Sequence, residues 1–255
     1  MTEETKKKVI EQFSKNPNAY ATSPSHGNED DLNRIVEWLK PQKSWRVLDI
    51  ATGGGHVAKT LAPHVYQVVA SDLTKDMLIS TRSFLNDLDN ILYVIGDAEN
   101  LPFLDDTFDA VTCRIAPHHF PDPKKFVQEA SRVLKSGGTF LLIDNVAPED
   151  RALAEYMNTF EKLRDPSHVR CLPVREWQQY LMESQLHEVK REVRKKTYDF
   201  PVWVRRTADR EEQIQNVESF ILGGTDKLRN YYRVQLSGNK IVSLQVDEMM
   251  IMNKK

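Results

Sequence analysis

The sequence has few cysteines: Cys113 and Cys171 are the only two in 255 residues, too few for a disulfide framework. Cys113 falls in an apolar, strand-like run, where a reduced and inert thiol is expected. Long hydrophobic runs are absent as well. None approaches the ~20 residues that a bilayer span requires, so no membrane role is expected. The charged start, Met1 to Lys8, has no apolar stretch behind it; that excludes a secretory signal peptide and makes the expected location cytoplasmic. An excess of either charge is also missing. Lys and Arg number 35 against 37 Asp and Glu, a net −2, which argues against a protein that tracks a nucleic-acid backbone. One basic stretch, from Lys190 to Arg206, does not interleave aromatic residues in the way a base-stacking platform would need. It reads as a solvated strand face and a lid surface. The histidines lack paired partners at metal-ligand spacing, so no metal is expected.

With 40% hydrophobic and 28% charged residues, the chain has an ordinary globular composition. There is no internal repeat or Gly/Ser linker, and the length suits a single domain. Leu32, Ile35, Val36 and Leu39 recur at helical spacing before Pro41. Strand-like runs follow at 46–50, 66–70, 91–95, 108–113 and 139–144, with helical patterns at 56–62, 74–87 and 123–134 between them. Such alternation predicts an α/β fold, a doubly wound and mostly parallel sheet. Ligands bind such sheets beyond the carboxyl ends of the strands. Asp49, Asp72, Asp97, Arg114 and Asp144 all fall there. Further on, 152–163 and 174–184 look helical, 188–198 alternates like a strand, and 201–222 is helical again. Segments 241–246 and 249–252 read as late strands, with a turn at Ser237-Gly238-Asn239.

The loop Asp49-Ile50-Ala51-Thr52-Gly53-Gly54-Gly55 joins the first strand to a helix. Gly53 and Gly55 permit turn conformations and close ligand approach, and the helix start offers its amides to a ligand. Gly53-x-Gly55-x-x-Ala58 also fits a dinucleotide fingerprint, with an acid about 20 residues on, so an NAD(P)-binding oxidoreductase is the first rival. Asp49 would repel a pyrophosphate but attract an amino group. Asp97 adds an acceptor that a plain dinucleotide site does not require.

This segment resembles the first motif of class I S-adenosylmethionine (SAM)-dependent methyltransferases. Val69 to Thr74 with Met77, Gly96 to Phe103, Phe108 to Val111 and Arg132 to Gly138 resemble the motifs that follow. Within the class the likeness is to the ubiquinone/menaquinone-biosynthesis methyltransferase-like group. His118 to Phe120, Asp144 to Glu149 and Arg164 to His168 carry that likeness beyond the cofactor motifs. It implies a Rossmann-like fold of seven strands with an N-terminal helical segment and a C-terminal helical lid insertion. One domain is expected: a cap (1–40), a SAM-binding core (41–145), and an acceptor side with final strands (146–255) that includes a lid at about 201–223.

The resemblance also implies SAM as cofactor, with Asp72 and its neighbours Leu73 and Met77 at the ribose and adenine. Asp97 and Ala98 would read the adenine, Asp49 and Gly53 would lie near the methionine end with Arg114 beside it, and Ala51 and Gly55 would also bind the cofactor. Tyr20 to His26 would fold over the cofactor. An oxygen or activated-carbon acceptor needs a base. His118, His119, His168, Asp144 and His26 are the candidates, with His119 and His168 the two singled out. Trp177, Tyr180, Trp203, Phe220, Tyr231 and Tyr232 could line an apolar acceptor cavity or form core. A small-molecule acceptor is expected. A homodimer and a non-catalytic SAM-binding protein stay open.

Overall fold

The computed structural model describes residues 2–21 and 27–255. Five strands, β1 (Arg46–Ile50), β2 (Gln67–Asp72), β3 (Ile91–Ile95), β4 (Phe108–Arg114) and β5 (Leu134–Val146), pair in parallel. The long strands β6 (His187–Asp199) and β8 (Lys240–Lys254) complete the order β3-β2-β1-β4-β5-β8-β6, and the three-residue β7 (Gln235–Ser237) adds an eighth strand against β8. β8 runs antiparallel to β5, β6 and β7. The chain order reverses between β1 and β4, which opens a crevice at their carboxyl ends.

Side chains on β1 alternate between the two faces, as strand geometry requires. Val47 packs with Leu32 and Ile35 of α3 (Glu29–Leu39) and Val57 and Leu61 of α4 (His56–Leu61). Leu48 and Ile50 face Phe126 of α6 (Pro123–Val133) and Trp177 of α8 (Val174–Glu183). Caps set where these helices begin: Asn28 Oδ1 accepts the Asp31 amide at 3.0 Å and Asp122 Oδ1 accepts that of Lys125 at 3.0 Å. Between β2 and β3 lies α5 (Lys75–Phe84), whose N-cap position is Thr74.

The late strand was expected in two pieces. It is one, because the polar residues between them are paired: Asp247 with Lys195, and Glu248 with Arg194 and Lys196. The helical run expected from 201 to 222 is instead two helices, α9 (Phe200–Val204) and α10 (Glu211–Leu222). Buried Arg164 takes up the break, donating to the Trp203 carbonyl at 3.3 Å and Thr207 Oγ1 at 3.1 Å. With α7 (Arg151–Arg164), α11 (Asp226–Tyr231) and the ends of β6 and β8, these helices enclose a second core around Met157, Phe160, Trp203 and Tyr232. The N-terminal helices α1 (Thr2–Ser14) and α2 (Pro17–Ala21) lie across the crevice and pack on α5.

Candidate active site

A cleft of about 1040 Å³, its open mouth included, lies at the carboxyl ends of β1, β2 and β4. Its floor is the loop after β1, and its roof is Lys6, Val9 and Phe13 of α1 with Tyr20 of α2.

Four carboxylates line it, those of Asp49, Asp72, Asp97 and Glu99. Asp49 is 1% exposed and accepts from Thr52 Oγ1 at 2.7 Å and Thr112 Oγ1 at 2.8 Å. Burial pushes its carboxyl up to about 6, against the pull of those two bonds and of Arg114. Asp72, at the end of β2, accepts the Gly53 amide at 3.0 Å and the Thr74 amide at 2.8 Å. It is also raised by burial, with the backbone bonds opposing. Asp97 Oδ2 meets Lys6 Nζ at 2.6 Å, and the same ammonium reaches Glu99 Oε2 at 2.7 Å.

Of the cofactor residues expected from the sequence, Ala51, Gly53, Leu73, Met77, Ala98 and Arg114 line the cleft and Gly55 does not. A Cβ on Gly55 would lie 2.4 Å from Thr81 Cγ2, so this glycine lets α4 start close against α5 and makes no wall of the site. Gly54 was overlooked. A Cβ there would lie 2.5 Å from the Tyr20 carbonyl oxygen, which is how α2 comes down onto the loop. His56, also overlooked, donates from Nε2 to that same carbonyl at 2.8 Å. An acidic partner is the usual signal for such a residue, and none stands near it in the sequence.

The histidines gather where the turn 117–119 meets the loop after α7. His119 lines the cleft, its ring edge-on to Phe13 with centroids 5.1 Å apart. Its Nδ1 lies 3.2 Å from Ser167 Oγ, which donates to Asp165 Oδ1 at 2.5 Å. Burial, then His118 beside it, lower its pKa to about 3. His118 points away from the cleft into Asp144, which accepts its backbone amide at 2.9 Å and meets its Nδ1 at 2.6 Å. Burial opposes its charge, but Asp144 outweighs burial and raises its pKa. Asp144 is therefore a clamp on the turn and does not border the cleft. His168 does not border it either, contrary to expectation. Its Nε2 meets Asn158 Oδ1 at 3.0 Å behind the turn, and burial drives its pKa far down. His26 and the rest of the stretch 22–26 lie outside the described residues.

The segment 201–223 contributes nothing to the cleft lining; it packs on α7. Trp177, Trp203 and Tyr232 are core, and Tyr180, Phe220 and Tyr231 pack against it. The aromatic walls of the cleft are Phe13, Tyr20 and Phe120. Within the basic stretch, Lys190 sits over the Trp38 ring at 4.0 Å, Arg191 pairs with Glu188, Arg194 and Lys196 pair with Asp31 and Glu248, and Arg205 pairs with Glu211. Among the described residues no group of three or more His, Cys, Asp or Glu is placed to hold a metal ion.

Residues 48–142 match the family model described as a methyltransferase domain. The chain is 38% identical over 236 residues to the methyltransferase YcgJ of Bacillus subtilis, covering 89% of this chain and 90% of the relative. A demethylmenaquinone methyltransferase of Thermotoga maritima is 33% identical over 130 residues, half of this chain and 55% of that one. The crystal structure of B. subtilis YcgJ superposes with a TM-score of 0.83 at 34% identity, covering 89% of this chain and 99% of that one. A Streptomyces coelicolor geranyl diphosphate C-methyltransferase bound to S-adenosylhomocysteine shares the fold, with a TM-score of 0.61 at 13% identity over 89% of this chain and 78% of that one.

Proposed function

The chain belongs to the SAM-dependent methyltransferase family, and we propose that it methylates a small, partly apolar metabolite held between His119 and the roof of the cleft. One observation carries this reading. The cleft wall beyond Arg114 is built from Ala116, His119, Phe120 and Pro121, faced by Val9 and Phe13. Such a wall accepts a ring or chain with few polar groups and offers a single titratable side chain. The likeness to a demethylmenaquinone methyltransferase fits an acceptor of this kind.

The donor set suits SAM. Asp72 holds two backbone amides in place and has acceptor capacity left for both ribose hydroxyls. Asp97 and Ala98 would meet the adenine edge, beside the apolar Leu73 and Met77. Asp49, enclosed and partly protonated near pH 6, would ionise against the methionine ammonium, with Ala51, Gly53 and Arg114 around the carboxylate end. Gly54 leaves the loop smooth enough for Tyr20 to close over it. Bound there, SAM supplies an electrophilic sulfonium methyl. An acceptor atom that carries hydrogen must then lose a proton, and His119 is the group placed to take it. His118 and Asp144 hold the turn that carries His119, and His168 supports it from behind. In this reading residues 1–40 are the cap, 41–145 the cofactor core and 146–255 the acceptor side, with 201–223 bracing α7 and the histidine loop.

The test is SAM turnover against a panel of quinols, phenols and amines, with S-adenosylhomocysteine as readout. Turnover confined to polar amines would sink the proposal.

A further inference from the structure

The Arg164-Asp165-Pro166-Ser167-His168 loop closes behind the turn that carries His119. The His118 carbonyl accepts the amides of Val169 at 2.9 Å and Arg170 at 3.1 Å, so turn and loop are stitched together through the backbone. Asp165 and Ser167 are each 1% exposed. Asp165 Oδ1 accepts the Ser167 amide at 2.8 Å and the Ser167 hydroxyl at 2.5 Å. A serine hydroxyl has one proton to give. The shorter, charge-assisted bond to the carboxylate claims it. What Ser167 Oγ presents to His119 Nδ1, 3.2 Å away, is therefore a lone pair.

We propose that Asp165 and Ser167 are positioning residues which fix His119 as its Nδ1–H tautomer, leaving the Nε2 lone pair as the proton acceptor of the methyl-transfer site. Nδ1–H donates to Ser167 Oγ, and Ser167 O–H donates to Asp165. The relay orients the ring and needs no proton to pass along it. The proton lost by the acceptor goes to Nε2, and from there to water once the cleft opens.

The groups facing the ring are His118 on the same turn, with centroids 4.3 Å apart, His168 at 6.4 Å, Phe13 from α1, and the Arg164–Asp165 corner of the loop. Burial, then His118 and Arg164, keep the imidazole neutral, while Asp165 and the Ser167 backbone favour its charged form. A base of this weakness takes a proton from oxygen or carbon that methylation has just made acidic, and leaves an ammonium untouched.

The inference rests on reading His119 as the group that faces the acceptor, and the experiment separates the two. Long-range ¹H–¹⁵N NMR on the full chain labelled at histidine, with His119 assigned from its loss in His119→Gln, reports the tautomer without turnover. The expected result is Nδ1–H in the unsubstituted protein and in Ser167→Thr, which keeps the hydroxyl. In Ser167→Ala the Nε2–H form should appear. Nε2–H in the unsubstituted protein, or a tautomer unchanged by Ser167→Ala, overturns the relay. Should the tautomers behave as expected while His119→Gln retains full turnover of an acceptor from the panel, His119 is not the base and the positioning stands. If His119→Gln loses turnover roughly a hundredfold while Ser167→Ala leaves the tautomer alone, the base stands and the relay falls.

Discussion

Lys6 Nζ of the first helix lies 2.6 Å from Asp97 Oδ2 in the loop after β3. The two residues are 91 positions apart in sequence, and with Glu99 they form an ion pair that fastens the roof to the wall of the cleft. The far end of α1 is tied elsewhere, by Gln12 Nε2 to the Thr207 carbonyl at 3.3 Å and Lys15 to Asp209 at 3.2 Å. With SAM bound as proposed, its exchange through this roof would require the Lys6 end to lift. Lys6→Met should speed dissociation of S-adenosylhomocysteine roughly fivefold, the effect of losing about 1 kcal/mol in a partly exposed pair. Stopped-flow displacement measures it. The salt dependence of dissociation should fall in the variant, and an unchanged rate at both low and high salt would show that α1 is not held by this pair.

Asp72 separates binding from architecture when two substitutions are compared. Asp72→Ala removes the acceptor proposed for ribose and the one seen for the Gly53 and Thr74 amides; SAM affinity should drop at least tenfold, about 1.4 kcal/mol. Asp72→Asn keeps one acceptor oxygen and should lose less. Calorimetry reads both, and an Asp72→Ala protein with unaltered affinity would remove this residue from the ribose.

Asp49 sets a pH dependence whose sign follows from its raised carboxyl, about 6 against an ordinary 3.8. A ligand ammonium favours the ionised form, so affinity for S-adenosylhomocysteine should be flat above pH 7. Below about 6 it should weaken by up to tenfold per pH unit. Arg114 and Asp72 face this carboxyl and act in opposite senses, the first easing ionisation and the second hindering it. In the unliganded protein the same shift acts on stability the other way. The fold holds this proton longer than the unfolded chain does, so stability declines as pH rises from about 4 through 6. Asp49→Asn should flatten both profiles, and titration calorimetry with melting curves between pH 5 and 8 would detect either one persisting.

The parallel half of the sheet and the cofactor motifs were legible because they depend on local signals. Short apolar runs placed β1, β2, β3 and β4, and acids at strand ends placed Asp49, Asp72 and Asp97 along one crevice. What stayed hidden depends on contacts between distant parts of the chain. Lys6 reads as one of a run of lysines until α1 is laid over Asp97. Trp203 and Tyr232 suggest an acceptor pocket until α7 turns them into core. His168 shares its loop with Ser167, and spacing alone cannot say that Ser167 meets His119 while His168 turns to Asn158.

Gly54 and Gly55 adjoin in sequence, yet their alanine variants should fail in different assays. Gly55 has φ +77° and a Cβ there would lie 2.4 Å from Thr81 Cγ2 and 2.8 Å from Leu85 Cδ1. Thr81 and Leu85 are buried and have little room to retreat, so Gly55→Ala meets both backbone strain and overpacking. It should lower global stability by roughly 1–3 kcal/mol, seen as a lower melting temperature with or without ligand. Gly54 has no such backbone constraint. Its Cβ would meet the Tyr20 carbonyl at 2.5 Å and the Ala21 amide at 2.7 Å, so the loop can stay where it is while α2 moves off. That shift would also break the bond from His56 to Tyr20. Gly54→Ala should therefore leave the melting temperature of the unliganded protein nearly unchanged, weaken cofactor binding about tenfold and raise its dissociation rate. If Gly54→Ala instead melts early with binding intact, α2 is part of the folded core and not a cover over the site.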